Sequence, residues 1–141
     1  MWSRRNVEHV ARLEAEGRML PAGLAAVAAA LLLGLEPGRA LDALRLRYTY
    51  VFTTGGIGPT HDDITADCVA AAFGVTIDVD PRAKAMLLER HKPEDLNEAR
   101  LRMARIPAGA DLIANPISKA PGFRIDNVIV MAGVPGIMQA M

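Results

Sequence analysis

Apolar and polar positions follow two different textures along this chain, and the change falls near residue 47. Beyond it, short β-branched or aromatic runs alternate with helical spacings, and glycine or proline closes each one. Tyr48-Thr49-Tyr50-Val51-Phe52-Thr53-Thr54 has the composition of a buried strand and runs into Gly55-Gly56-Ile57-Gly58. A helix is predicted next. Thr60 and Asp63 have capping-box spacing, Ile64, Cys68 and Ala72 share one face beside Val69 and Phe73, and Gly74 ends it. Val75–Val79 reads as a short extended piece. Asp80-Pro81 supplies an N-cap and a first-turn proline for a helix to about Arg90, predicted to bury Ala85 and Leu88. Pro93-Glu94-Asp95 opens another, with Leu96, Ala99, Leu101 and Met103 as its apolar positions. Asp111–Ile113 reads as a brief strand, Phe123–Ile125 and Val128–Met131 flank a tight turn at Asp126-Asn127, and Gly133-Val134-Pro135-Gly136 opens a last helix.

The first 46 residues look different. They read as a charged helix over about Asn6–Glu16, then Ala/Leu/Arg/Gly-rich sequence poor in β-branched residues, until a helix over Ala40–Leu46 rejoins the later pattern. The apolar run Leu24–Leu33 is about half of the roughly 20 residues a spanning helix needs. Arg4 and Arg5 precede it, but Glu8, Glu14 and Glu16 intervene, which is not the unmixed positive start of an export signal. The expectation is no membrane role.

Composition narrows the partners. The chain has 141 residues, half of them apolar, which fits one domain with a real core. Sixteen basic residues balance sixteen acidic ones, so nothing predicts a broad nucleic-acid or membrane footprint. The lone Cys68 has no disulfide partner within the chain, as expected for a cytoplasmic protein, and reads as a small core residue.

The candidate chemistry lies after the first strand of the second region. A buried strand ending in glycines lets successive amides converge on one point, and a following helix adds its positive end, a combination that favours an anion such as phosphate. The loop is not a Walker A loop, since Gly-Lys-Ser/Thr is lacking, and His61 replaces the third glycine of a dinucleotide fingerprint. His61-Asp62-Asp63 at the helix start, with Asp67 a turn later, put carboxylates beside a phosphate site. Such carboxylates need a mediating cation, for which Mg²⁺ is the expected ion, or ligand groups that donate to them. The plainer alternative is that Asp62 and Asp63 complement the helix dipole.

Val51 through Asp67, with its Gly-Gly-Ile-Gly-Pro-Thr-His-Asp-Asp core, resembles the signature of the competence/damage-inducible protein A (CinA) family. That family shares a fold with the MoaB/Mog-type molybdopterin-binding proteins. Asn115, Ala120-Pro121-Gly122-Phe123 and Met131-Ala132-Gly133-Val134-Pro135 follow in the family's order, and Arg105-Ile106-Pro107 with Gly109-Ala110 fits the segment between. The resemblance covers about Ala40 to Met141. It implies a three-layer α/β/α fold with a mainly parallel sheet, and a MoaB/Mog-like core over residues 47–141 preceded by a divergent helical segment, 1–46. It also implies that Thr54, Gly55, Gly56 and Gly58 cradle a phosphate, that Gly133, Val134 and Pro135 form the opposite wall, and that Asp63 and Asp62 serve chemistry, with Asp63 as metal ligand. Ser118 and Lys119, in the loop before Pro121, are read first as solvated residues and second as ligand contacts.

Residues 1–46 depart from the family pattern. Its first strand ending in Gly-Asp-Glu and the acidic end of its second strand are not recognisable, and the apolar stretch Leu24–Leu35 stands where the latter belongs. A truncated or frame-altered gene product is therefore expected. Three functions compete: binding of a phosphorylated pterin of molybdopterin type or a related nucleotide; a Mg²⁺-dependent nucleotide pyrophosphatase (ADP-ribose or FAD type) or molybdopterin adenylyltransferase; and an inactive fragment. The resemblance further implies a homo-oligomer, a trimer.

Overall fold

The computed structural model describes residues 37–141. The predicted helix at Asn6–Glu16 and the apolar run Leu24–Leu35 lie outside them. The described chain opens with α1 (Pro37–Arg47), β1 (Val51–Thr54), α2 (Thr65–Phe73), β2 (Ile77–Val79) and α3 (Pro81–Leu88). A 3₁₀ turn (Pro93–Asp95) leads to α4 (Glu98–Arg102), and then come β3 (Arg105–Pro107), β4 (Asp111–Ile113), β5 (Gly122–Ile125), β6 (Val128–Met131) and α5 (Pro135–Ala140).

The fold is α/β. Four strands form a sheet in the order β1-β6-β5-β4, and β2 and β3 pair antiparallel as a separate two-stranded ribbon. Among the described residues the main sheet is mixed rather than mainly parallel, since only β1 and β6 run parallel. The reason is connection length. β5 and β6 are joined by the two-residue Asp126-Asn127 turn, which permits only antiparallel pairing, whereas the long path from β1 to β6 permits a parallel one. Asp126 takes the positive φ (50°) that this hairpin needs. The Asn127 side-chain Nδ2 donates to the carbonyls of Arg45 (2.8 Å) and Tyr48 (2.9 Å), satisfying acceptors left open where α1 ends.

β6 lies between β1 and β5, so Val128, Val130 and Met131 are buried, while β5 alternates buried Phe123, exposed Arg124 and buried Ile125. Leu41 of α1, Val69 of α2, and Ala83 and Leu87 of α3 close the core. Leu41 belongs to that core, so α1, which ends where the sequence texture changes, packs with the elements of the second region.

Two helical faces are phased differently from the expectation. α3 buries Ala83 and Leu87, not Ala85 and Leu88, both of which are exposed. Its start is as predicted: Asp80 accepts from the Arg82 amide at 2.8 Å and Pro81 holds the first position. α2 buries Ala66, Val69 and Ala70, leaving Ile64 exposed and Cys68 half-buried beside α1, so Cys68 is not a core residue. The shift has a local cause. α2 begins at Thr65, after the turn that contains Thr60 and Asp63, and it ends as expected at Gly74 (φ 63°). Among the described residues no helix is long and apolar enough to cross a membrane.

Candidate ligand-binding cleft

The parallel register decides where the loops meet. Thr54 pairs with Met131, so Gly55 and the segment 132–134 leave the same end of adjacent parallel strands. In α/β sheets this carboxyl end is where ligands bind. The approach is close: a Cβ built on Gly133 would sit 3.0 Å from the Gly55 Cα, tighter than an ordinary contact.

A cleft of about 440 Å³ opens at this end. Its size is within the roughly 300–1,000 Å³ typical of small-molecule sites. The glycine loop (55–59), Asp63, the 115–120 loop and the 132–134 segment wall it, and Met103 and Ile137 reach in from the end of α4 and from α5. The structure therefore brings together Gly55, Gly56, Gly58, Asp63, Gly133 and Val134. Thr54, Asp62 and Pro135 lie outside the lining: Thr54 is exposed at the strand end, Asp62 faces His61 (3.1 Å), and Pro135 starts α5 on the surface.

The loop's amides are not all available to a guest. That of Gly55 donates to the Met131 carbonyl (2.9 Å) and prolongs the β1–β6 ladder. The amides of Gly56 and Ile57 have no acceptor among the described residues, and both residues line the cleft. Thr65 fastens this stretch to α2, its amide on the Gly56 carbonyl and its hydroxyl on the Gly55 carbonyl, both at 2.9 Å. Gly56 needs to be glycine. Its φ is 69°, and a Cβ would lie 2.0 Å from the Thr65 Oγ1.

Asp63 is folded back on its own loop. Its Oδ2 accepts from the Thr60 hydroxyl (2.6 Å) and the Thr60 amide (2.9 Å), and the Asp63 amide returns a bond to the Thr60 carbonyl (3.2 Å). The predicted capping box is thus a self-closed turn ahead of the helix. The Thr60 hydroxyl does most to hold the Asp63 carboxyl below its ordinary range. Partial burial opposes this, and the Thr60 amide, the Gly58 amide and the charge of Arg102 assist it. Asp67 is engaged elsewhere, in a two-point pair with Arg105 at 2.7 and 3.1 Å.

Among the described residues no three His, Cys, Asp or Glu side chains converge, the Asp63 Oδ2 accepts two hydrogen bonds from Thr60, and Asp62 is turned to His61. Of the carboxylates expected to serve a metal, Asp63 alone lines the cleft, so a Mg²⁺ ion there would take its remaining ligands from waters and the phosphate.

Asn115, marked in the sequence only as part of a family motif, organises the second wall. Buried (3% exposed), it donates to Ser118 Oγ (2.6 Å) and the Ala120 carbonyl (2.9 Å), while its Oδ1 accepts from the amides of Ile117 (3.1 Å) and Ser118 (3.0 Å). It knots the 115–120 loop into the cleft's second wall. Ser118 lines the cleft, whereas Lys119 reaches Glu89 (2.7 Å). An asparagine followed three residues later by serine is the one sequence signal for such a turn, and it is weak.

Residues 19–141 match the family described as the probable molybdopterin binding domain. The chain belongs to this family. The match opens at residue 19, ahead of the change in sequence texture near residue 47. A protein from Aeropyrum pernix is 39% identical over 112 residues, 75% of this chain and 40% of its own length. A CinA-like protein from Gloeobacter violaceus is 34% identical over 118 residues, 77% of this chain and 28% of its own. The chain thus spans at most 40% of either curated relative. Among solved structures, the protein CinA of unknown function from Thermoplasma acidophilum superposes with a TM-score of 0.67 at 36% identity, covering 73% of this chain and 63% of that one. The molybdopterin-binding domain fold and the CinA-like kinship agree with the resemblance carried by the glycine loop and the later motifs.

Proposed function

We propose that this domain binds a small phosphorylated ligand, a pterin of molybdopterin type or a related nucleotide, in the cleft at the carboxyl ends of β1 and β6. The observation that carries the reading is the pairing of two amides without an acceptor among the described residues, Gly56 and Ile57, with apolar walls from Met103, Ala120, Ala132, Val134 and Ile137. Amides suit a phosphate and apolar walls suit a flat ring. Family membership supports the same reading.

Binding is favoured over phosphoryl or nucleotidyl transfer. Such chemistry needs charge neutralisation placed around the reacting phosphate. Of the two carboxylates expected to serve it, one closes its own turn and the other lies outside the cleft lining. Calorimetric titration of the full chain with ADP-ribose, FAD and ATP, each with and without Mg²⁺, tests the reading. Saturable heat with at least one is expected; no heat with any of them, nor with molybdopterin itself, leaves the inactive fragment. Release of phosphate or AMP that disappears in Asp63→Asn would replace binding by hydrolysis.

A further inference from the structure

Arg102 closes α4 at the back of the glycine loop. A narrow hollow there is lined by Gly56, Ile57, Gly58 and Asp63 on one side and by Arg102, Met103 and Arg105 on the other. It shares Gly56, Ile57, Gly58, Asp63 and Met103 with the larger cleft, so the two are neighbouring parts of one region.

Among the described residues, most cations around this region are engaged. Arg105 pairs with Asp67, Lys119 with Glu89, Arg90 donates to the Ile117 carbonyl, and Arg100 donates to the Asp95 carbonyl (2.6 Å). Arg102 joins no ion pair among the described residues, and its Nε is buried without a hydrogen-bond partner there. Burying a guanidinium N–H unpaired costs free energy, so native structures rarely leave one without a purpose. Asp63 is near enough to feel this charge, yet its Oδ2 is already committed to Thr60. The commonplace role for an arginine at a helix end, complementing the dipole, is met from the surface and does not call for a buried Nε.

We propose that Arg102 is the cation that binds the anionic end of the ligand at the glycine loop, its guanidinium facing a phosphate that also takes the Gly56 and Ile57 amides. This assignment rests on the proposed binding function and refines it. The ligand carries at least one phosphate at the loop end and an uncharged ring system in the wider cleft. A planar guanidinium suits phosphate oxygens because it presents parallel N–H groups to two of them.

The test is calorimetric titration of the full chain with ADP-ribose at low and high salt, for wild type, Arg102→Gln and Arg102→Lys. Circular dichroism first establishes that each variant is folded, and the lysine variant keeps the test available should the glutamine variant fail to fold. Arg102→Gln is expected to weaken binding on the order of ten- to a hundredfold and to flatten its salt dependence. Arg102→Lys is expected to retain the salt dependence with intermediate affinity. Wild-type affinity in Arg102→Gln, or a loss that leaves the salt dependence unchanged, overturns the assignment of Arg102 alone. Absence of binding by the wild type to this probe, to FAD and ATP and to molybdopterin itself overturns the binding function, and this inference with it.

Discussion

The two loops that face each other across the cleft do the same mechanical job with opposite chemistry. The 55–63 loop is closed by a partly exposed carboxylate, Asp63, holding the hydroxyl and amide of Thr60. The 115–120 loop is closed by a buried amide, Asn115, with four hydrogen bonds. A charged fastener near water is strong in geometry but screened and titratable. A neutral one in the interior is insensitive to pH, and its partners are stranded if it is removed. The difference teaches which wall is the rigid one. On this contrast the 115–120 loop is expected to be the more rigid wall, and the 60–63 turn of the opposite loop the part that loosens first.

Four outcomes break or sharpen that contrast. Asn115→Ala has the largest expected effect, a loss of roughly 2–4 kcal/mol in chemical denaturation, because buried groups lose their partners. A loss below about 1 kcal/mol would show the second wall to be held by something else. Gly56→Ala forces a side chain into a positive φ and onto Thr65, and a cost of roughly 1–3 kcal/mol is expected from backbone strain, measurable as a lower thermal midpoint. Asp63→Asn should cost only about 1 kcal/mol, since one acceptor is retained and the site is partly solvated. Its main trace should be faster amide exchange at Thr60.

The last outcome is a pH dependence. The Asp63 carboxyl titrates below its ordinary value of 3.8 because of the Thr60 hydroxyl bond, so the fastening is fully present above that value. As pH falls through the lowered folded value the carboxylate is protonated and the fastening is lost. Amide exchange should therefore quicken at Thr60 in strong acid while the amides of Ile117 and Ser118 hold. Equal loosening of both loops would erase the contrast.

Much of this fold was legible in the sequence. β-Branched and aromatic runs marked β1, β5 and β6, Asp80-Pro81 marked the start of α3, and the glycine run marked the cleft. The illegible parts depend on three dimensions. The buried faces of α2 and α3 were misphased because a short apolar pattern fits neighbouring phases almost equally well. Thr60 and Asp63 have the spacing of a capping box, and only coordinates show them closing a turn before the helix begins. That Gly55 spends its amide on Met131 follows from a parallel register linking residues 76 positions apart. Arg102 was invisible for a similar reason, since a helix-end arginine carries no sign of a buried nitrogen.

The most direct measurement of the central claim is an amide nitrogen–proton NMR titration of ¹⁵N-labelled protein with a phosphorylated ligand such as ADP-ribose. The amides of Gly56 and Ile57 should move most, that of Gly55 should stay on its strand partner, and the 132–134 segment should follow. Shifts confined to the groove between α1 and α2, or none in the 55–58 loop at saturation, would contradict the account.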